Sequence, residues 1–162
     1  MNDYGLPPFI NTLLSDVGAT ATITGKTDRI FLSGQIQETI LYTCVNTTTL
    51  NVDVSLSRNK VINAGDVNNP NIVADLWLPV YQQTFSFNLT SGVTDTLSLN
   101  AIFTSFIDVF KDVMEAGSLH ELGTYEYRFD TSFYTDSFNP SDVVIYNVYY
   151  GTRTLTSQVV KQ

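Results

Sequence analysis

Nucleophilic, acid–base and metal chemistry each need particular side chains within reach of one another, and this chain offers few of them. His120 is the sole histidine and Cys44 the sole cysteine. A triad would need His120 to activate Cys44 or a serine, with an acid behind it. Ser118 and Glu121 flank His120, but no Gly-x-Ser-x-Gly turn surrounds any serine. His120 therefore reads as a loop histidine, and Cys44, set in a β-type run, as a small buried residue. A lone cysteine also leaves no intrachain disulfide and no Cys-based zinc site. Paired carboxylates could hydrolyse a glycosidic bond, and the candidates are Asp108, Asp112, Glu115, Glu121 and Glu126. The first three fall on the polar face of an expected helix, where solvation is the ordinary explanation. Asp130, Asp136 and Asp142 lie near turns, a common place for aspartate. The stretch Asp66-Val67-Asn68-Asn69-Pro70-Asn71 could offer oxygens to Ca²⁺, but it lacks the alternating acids and distal glutamate of an EF-hand. No glycine-rich phosphate loop occurs. The expectation is a non-enzymatic protein with no metal and no cofactor.

The elements that would position these residues read mostly as strands. Leu50, Val52, Val54 and Leu56 alternate with Asn51, Asp53, Ser55 and Ser57, a period of two with one buried and one wet face. The run before it, 36–45, is β-branched and aromatic, and Asn46-Thr47-Thr48 lies between them as a turn. The simplest reading of 38–59 is an antiparallel hairpin, with a second hairpin over 20–24 and 29–33. Threonine suits the exposed face because β-branching fits a pleated surface. Residues 63–71 form the clearest loop, rich in Asn, Gly and Pro. Strands follow over 72–80 and 83–89, with Phe85, Phe87 and Leu89 on one side. Later strands are expected over 124–129, 132–135, 143–150 and 153–160. One amphipathic helix is expected over about 101–116, because Ile102, Phe103, Phe106, Ile107, Phe110, Val113 and Met114 recur at helical spacing. Asn100 would cap its start and Gly117 close its end.

Residues 1–18 read as an N-terminal arm, with a short helical turn after Pro7-Pro8 carrying Phe9, Ile10, Leu13 and Leu14. Residues 19–162 read as a single mainly β domain, an antiparallel β-sandwich of jelly-roll-like or Ig-like kind. With 43% hydrophobic residues in 162, the chain can bury a sizeable core. Only 15% are charged, so Thr, Ser and Asn make its surface polar but uncharged. A net charge of −8 disfavours nucleic acid and anionic membranes as partners. The start of the chain lacks the basic and long apolar runs of a secretory signal, which suggests synthesis in a cytoplasm. The Asn46 and Asn88 sequons then read as incidental.

Nine of the 20 aromatic residues fall in 124–150, and over 143–150 both alternating faces are apolar or aromatic. Such a strand is covered on both sides, by its own core and by something else. Tyrosine suits that second role, since its ring buries while its hydroxyl finds a partner. Tyr4, Leu6, Phe9 and Ile10 of the arm, with Tyr146, Tyr149 and Tyr150, are the expected contact residues.

The segment ETILYTCVNTTTLNVDVSLSRN (38–59) resembles a strand–turn–strand pattern of small virion structural proteins of tailed bacteriophages. The resemblance implies a β-rich head-decoration, neck or tail component. Such a component works through contacts with copies of itself and with other virion proteins, without cofactors. It implies a place in the virion after synthesis in the host cytoplasm. The rival expectation is a carbohydrate- or receptor-binding sandwich, with Trp77 as the stacking platform.

Overall fold

The computed structural model describes residues 9–25, 28–61, 77–107, 122–137 and 139–161, with the backbone path alone for 9–17 and 105–107. Seven strands make up nearly all of it: β1 (Phe9–Ile23), β2 (Arg29–Cys44), β3 (Thr48–Lys60), β4 (Leu78–Leu89), β5 (Thr94–Ile107), β6 (Gly123–Thr135) and β7 (Val143–Val160). The remaining element is a 3-10 turn, Pro140–Asp142. The strands form two sheets, of order β1-β6-β3-β4 and β5-β2-β7, and every pairing is antiparallel. Both sheets send their apolar faces into one core.

Period-two patterning builds that core. On β2 the even-numbered residues from Ile30 to Cys44 are all buried. On β6 the odd-numbered residues from Tyr125 to Thr135 are buried. Phe129 of β6 meets Phe103 of β5 across the gap, ring centroids 5.4 Å apart, and Tyr81 of β4 meets Phe103 edge-on at 5.3 Å. Gly34 lies at the tightest point. A Cβ there would stand 2.8 Å from Phe129 Cζ and 2.8 Å from the Thr154 carbonyl oxygen. Backbone cannot retreat as a flexible side chain can. Gly34→Ala is therefore expected to destabilise the fold by about 1–3 kcal/mol, read as a lower denaturant midpoint with unchanged slope.

The expected helix is corrected. Ala101–Ile107 is the second half of β5, in register with β2 from Ile36↔Ala101 to Ile30↔Ile107; residues 108–116 lie outside the described residues. Ile102 and Phe103 fit a helical period, but in the strand they part: Leu97, Leu99, Ala101 and Phe103 form one inward row while Ile102 faces out. Asn100 caps nothing, because its carbonyl accepts from Gln35 Nε2 at 2.9 Å. The helical turn expected in the arm is also replaced. Phe9–Gly18 is strand, paired with β6 across a register shift between Leu14 and Gly18, while residues 1–8 lie outside the described residues.

Both expected hairpins are corrected too. β1 and β2 lie in different sheets, and so do β2 and β3. Their connections arch over the core instead of turning within a sheet. The β2–β3 arch is closed by its neighbours: Cys44 N donates to Val93 O at 2.8 Å, Gly92 N to Cys44 O at 2.8 Å, and Val45 N to Asp142 O at 2.7 Å. Asn46 Nδ2 donates to Asp142 Oδ1 at 2.6 Å, so this sequon asparagine ties two loops together. The side chains of Asn46 and Ser137 hold the Asp142 carboxyl below the usual range. Below the arch, the Cys44 thiol is buried and pushed up by that burial, as expected of a structural cysteine.

Candidate interaction surface

The outer faces of the two sheets differ in charge. On the β1-β6-β3-β4 sheet, outward positions carry Asp53, Glu126, Arg128 and Asp130. Asp53 accepts from Thr84 Oγ1 at 2.7 Å, and Arg128 Nε pairs with Asp130 Oδ1 at 2.8 Å. On the β5-β2-β7 sheet, Arg29 at one end of β2 is the one charged outward position among the described residues. Its central rows are polar and neutral: Gln37 faces Asn100, Thr39 faces Ser98 and Thr43 faces Thr94, while Gln35 reaches Asn100 diagonally. The Gln35–Asn100, Thr39–Ser98 and Thr43–Thr94 pairs hydrogen-bond across the strands at 2.9, 3.4 and 2.7 Å. The threonine-rich pattern of 38–59 is thus the exposed side of β2 and β3, whose alternate residues enter the core.

β7 adds the apolar part. Its register against β2 shifts between Leu41 and Tyr42, which inserts Tyr146 as an extra residue. Val144, Tyr146 and Tyr149 stand 40%, 59% and 54% exposed, with Val144 next to the arch. Tyr149 lies opposite Thr39 and Val144 opposite Thr43, so both belong to this outer face. A second shift places Gly151 and Thr152 opposite Gln37, whose Oε1 accepts from Thr152 N at 3.1 Å. The two expected strands 143–150 and 153–160 are in this way one strand with a bulge.

The expected contact residues divide. Tyr146 and Tyr149 reach the exposed face. Tyr150 turns inward, half-buried against the core with the Arg153 guanidinium 4.7 Å from its ring centroid. Phe9 and Ile10 are placed by backbone only, in β1 beside the end of β6, and Tyr4 and Leu6 lie outside the described residues. Attention to aromatic residues alone passed over the exposed Val144 and the polar outward rows of β2 and β5, although period two on each strand marks them. Trp77 is half-buried with Arg128 over its ring at 3.9 Å, so a cation occupies one of its faces.

Two ionisable sites off this face were not anticipated. Asp28 is buried in the β1–β2 turn, where it accepts from the Thr24 and Gly25 amides and pairs with Lys161 Nζ at 2.6 Å. Lys161 and those amides bring its carboxyl down to about 2. Glu38 points into the core from β2 and is 1% exposed. Its Oε1 accepts from Thr131 Oγ1 at 2.6 Å, and Oε2 has no hydrogen-bond partner among the described residues. Burial pushes this carboxyl above its ordinary range, and the Thr131 bond only partly opposes that.

Among the described residues no three His, Cys, Asp or Glu side chains gather as a metal-ion cage, and no helix is long and apolar enough to cross a membrane. Glu126 is half-buried on the outer face of β6. His120, Asp108, Asp112, Glu115, Glu121 and the loop 66–71 lie outside the described residues. Neither a family model, nor a curated protein, nor a solved structure matches the chain.

Proposed function

We propose that this chain is a non-enzymatic structural subunit, a β-sandwich of jelly-roll kind that works through protein–protein contacts in a bacteriophage head, neck or tail. The strand orders β1-β6-β3-β4 and β5-β2-β7 are those of an eight-stranded jelly roll without its first strand. In an Ig-like sandwich the first two strands would pair within one sheet, and here they lie in opposite sheets. The observation that carries the functional reading is the exposed Val144–Tyr146–Tyr149 strip on a sheet face whose central rows are uncharged. Exposed apolar and aromatic clusters of this sort mark contact sites. The resemblance of 38–59 to virion proteins points the same way, to a particle assembled after synthesis in the host cytoplasm.

The test is the mass of the purified protein by light scattering over a concentration series. A discrete oligomer is expected. Replacing both rings (Tyr146→Ser with Tyr149→Ser) is expected to weaken it about tenfold to a hundredfold, as loss of two rim-to-core aromatics does. A monomer at every concentration would sink the assembly reading. The second reading, a module for neutral glycans, draws on the same exposed tyrosines beside Asn147 and the amide rows. A glycan-dependent change in tyrosine fluorescence, abolished by Tyr149→Ser, would favour it.

A further inference from the structure

Resting on the assembly reading, we propose that the partner on the β5-β2-β7 face is a second copy of this chain, docked sheet to sheet about a two-fold axis.

Charge gives the first argument. Each copy carries −8, so two copies repel unless their closest surfaces are neutral. The opposite sheet presents Asp53, Glu126 and the Arg128–Asp130 ion pair outward, a net acidic face. Placed against its own copy, it would set like charges in a low-dielectric gap, which is unfavourable. Among the described residues the β5-β2-β7 face sets no acid there, and its one charge, Arg29, lies at the end of β2, opposite in sign to the net charge of the copy it would meet. A two-fold contact also needs only one self-complementary patch.

Desolvation gives the second. Buried polar groups are costly when they lose water and find no partner. Here the Gln35–Asn100, Thr39–Ser98 and Thr43–Thr94 pairs already bond to each other, and Thr156 Oγ1 donates to the Ser33 carbonyl at 3.2 Å. Much of this face can therefore be dried with its hydrogen bonds intact. Apolar side chains are spread along it: Val144 at one end, Tyr149 and Ile102 on either side of the centre, and Phe31 towards the other end, with Ile102 and Phe31 57% and 42% exposed.

Area gives the third. Three strands about 4.8 Å apart with six outward rows about 7 Å apart span ~600 Å² before side-chain relief is added. A stable interface takes roughly 800 Å² from each partner. The face is thus of the size that a dimer needs.

The experiment inserts charge into the face and weighs the full chain by light scattering. Thr39→Glu, near the centre, and Thr154→Glu, at an exposed position of β7, each bring a carboxylate against the partner surface. Asn88→Glu, on the outer face of the other sheet, is the control, and circular dichroism checks that each variant folds. The wild type is expected to give a dimer or a multiple of it. Both face variants are expected to weaken association at least a hundredfold, and the control to leave it unchanged. Association of the wild type should tighten as salt rises, because screening removes the repulsion of the two −8 charges. An oligomer that survives both Thr39→Glu and Thr154→Glu would overturn the face-to-face dimer and leave the assembly reading standing on another surface. A wild-type monomer would overturn both.

Discussion

Phe129→Ala is expected to cost about 3–5 kcal/mol, the range for removing a fully buried aromatic ring. Phe129 is 0% exposed and joins the two sheets through Phe103, 5.4 Å away between ring centroids. Its edge fills the space that Gly34 leaves open on β2. Strands on both sides hold the backbone in place, since Phe129 pairs with Leu56 of β3 while β6 also pairs with β1. The cavity can collapse only slightly, so the cost belongs near the upper part of the range. In a chain of 162 residues that corresponds to a drop in Tm of roughly 10 °C or more. Scanning calorimetry and urea titration should agree on it. Gly34→Ala should be less damaging in the Phe129→Ala background, by about 0.5 kcal/mol or more, because one of its two close contacts is gone. Strict additivity of the pair would mean that the Thr154 carbonyl, and not the ring, decides the Gly34 site.

Glu38→Gln is expected to stabilise the protein by about 1–3 kcal/mol at pH 7, the scale of an unsatisfied buried polar group. The folded state raises the Glu38 carboxyl above its unfolded value because burial disfavours the charge. Between the unfolded and folded values the native state therefore binds the extra proton. Stability is full below the unfolded value and falls as pH rises through the folded one. Glutamine has no charge to desolvate, and its carbonyl can still accept from Thr131 Oγ1. The gain of Glu38→Gln over wild type should be largest at neutral pH and shrink towards pH 4. Thermal melts of both proteins over that range would measure it. A variant less stable than wild type at pH 7 would show that the carboxylate is compensated in the native protein. Thr131→Val separates the two contributions: loss of that hydroxyl should raise the Glu38 pKa further and deepen the fall with pH.

Which side of a strand enters the core was legible from the chain, and which strand it pairs with was not. Leu50, Val52, Val54 and Leu56 were readable as an inward row, as were Phe85, Phe87 and Leu89, because side chains alternate strictly along a pleated strand. Ala101–Ile107 was misread because Ile102, Phe103, Phe106 and Ile107 satisfy a helical period, which hid the alternation of Leu97, Leu99, Ala101 and Phe103. Only Ala101 and Phe103 lying level with Leu97 and Leu99 against β2 decide between them. The 38–59 hairpin failed for a different reason. A short polar connection closes a hairpin or an arch equally well, and the choice rests on distant partners: Val93, Gly92 and Asp142.

The surface shows the same division. A low charged fraction with abundant Thr, Ser and Asn is a property of composition, and it already determined that the exposed face of a strand would be polar and neutral. Composition is blind to where the few charges collect. The tertiary structure put Asp53, Glu126, Arg128 and Asp130 on one sheet, and on the other sheet's outer face it left, among the described residues, Arg29 at one end. It also turned Tyr150 inward and Tyr146 and Tyr149 outward, through two bulges that no local propensity encodes. Alternation along a strand follows from covalent geometry and can be read residue by residue. Strand partners, bulges and the gathering of charges follow from contacts between residues far apart in the chain, and only the folded arrangement brings those together.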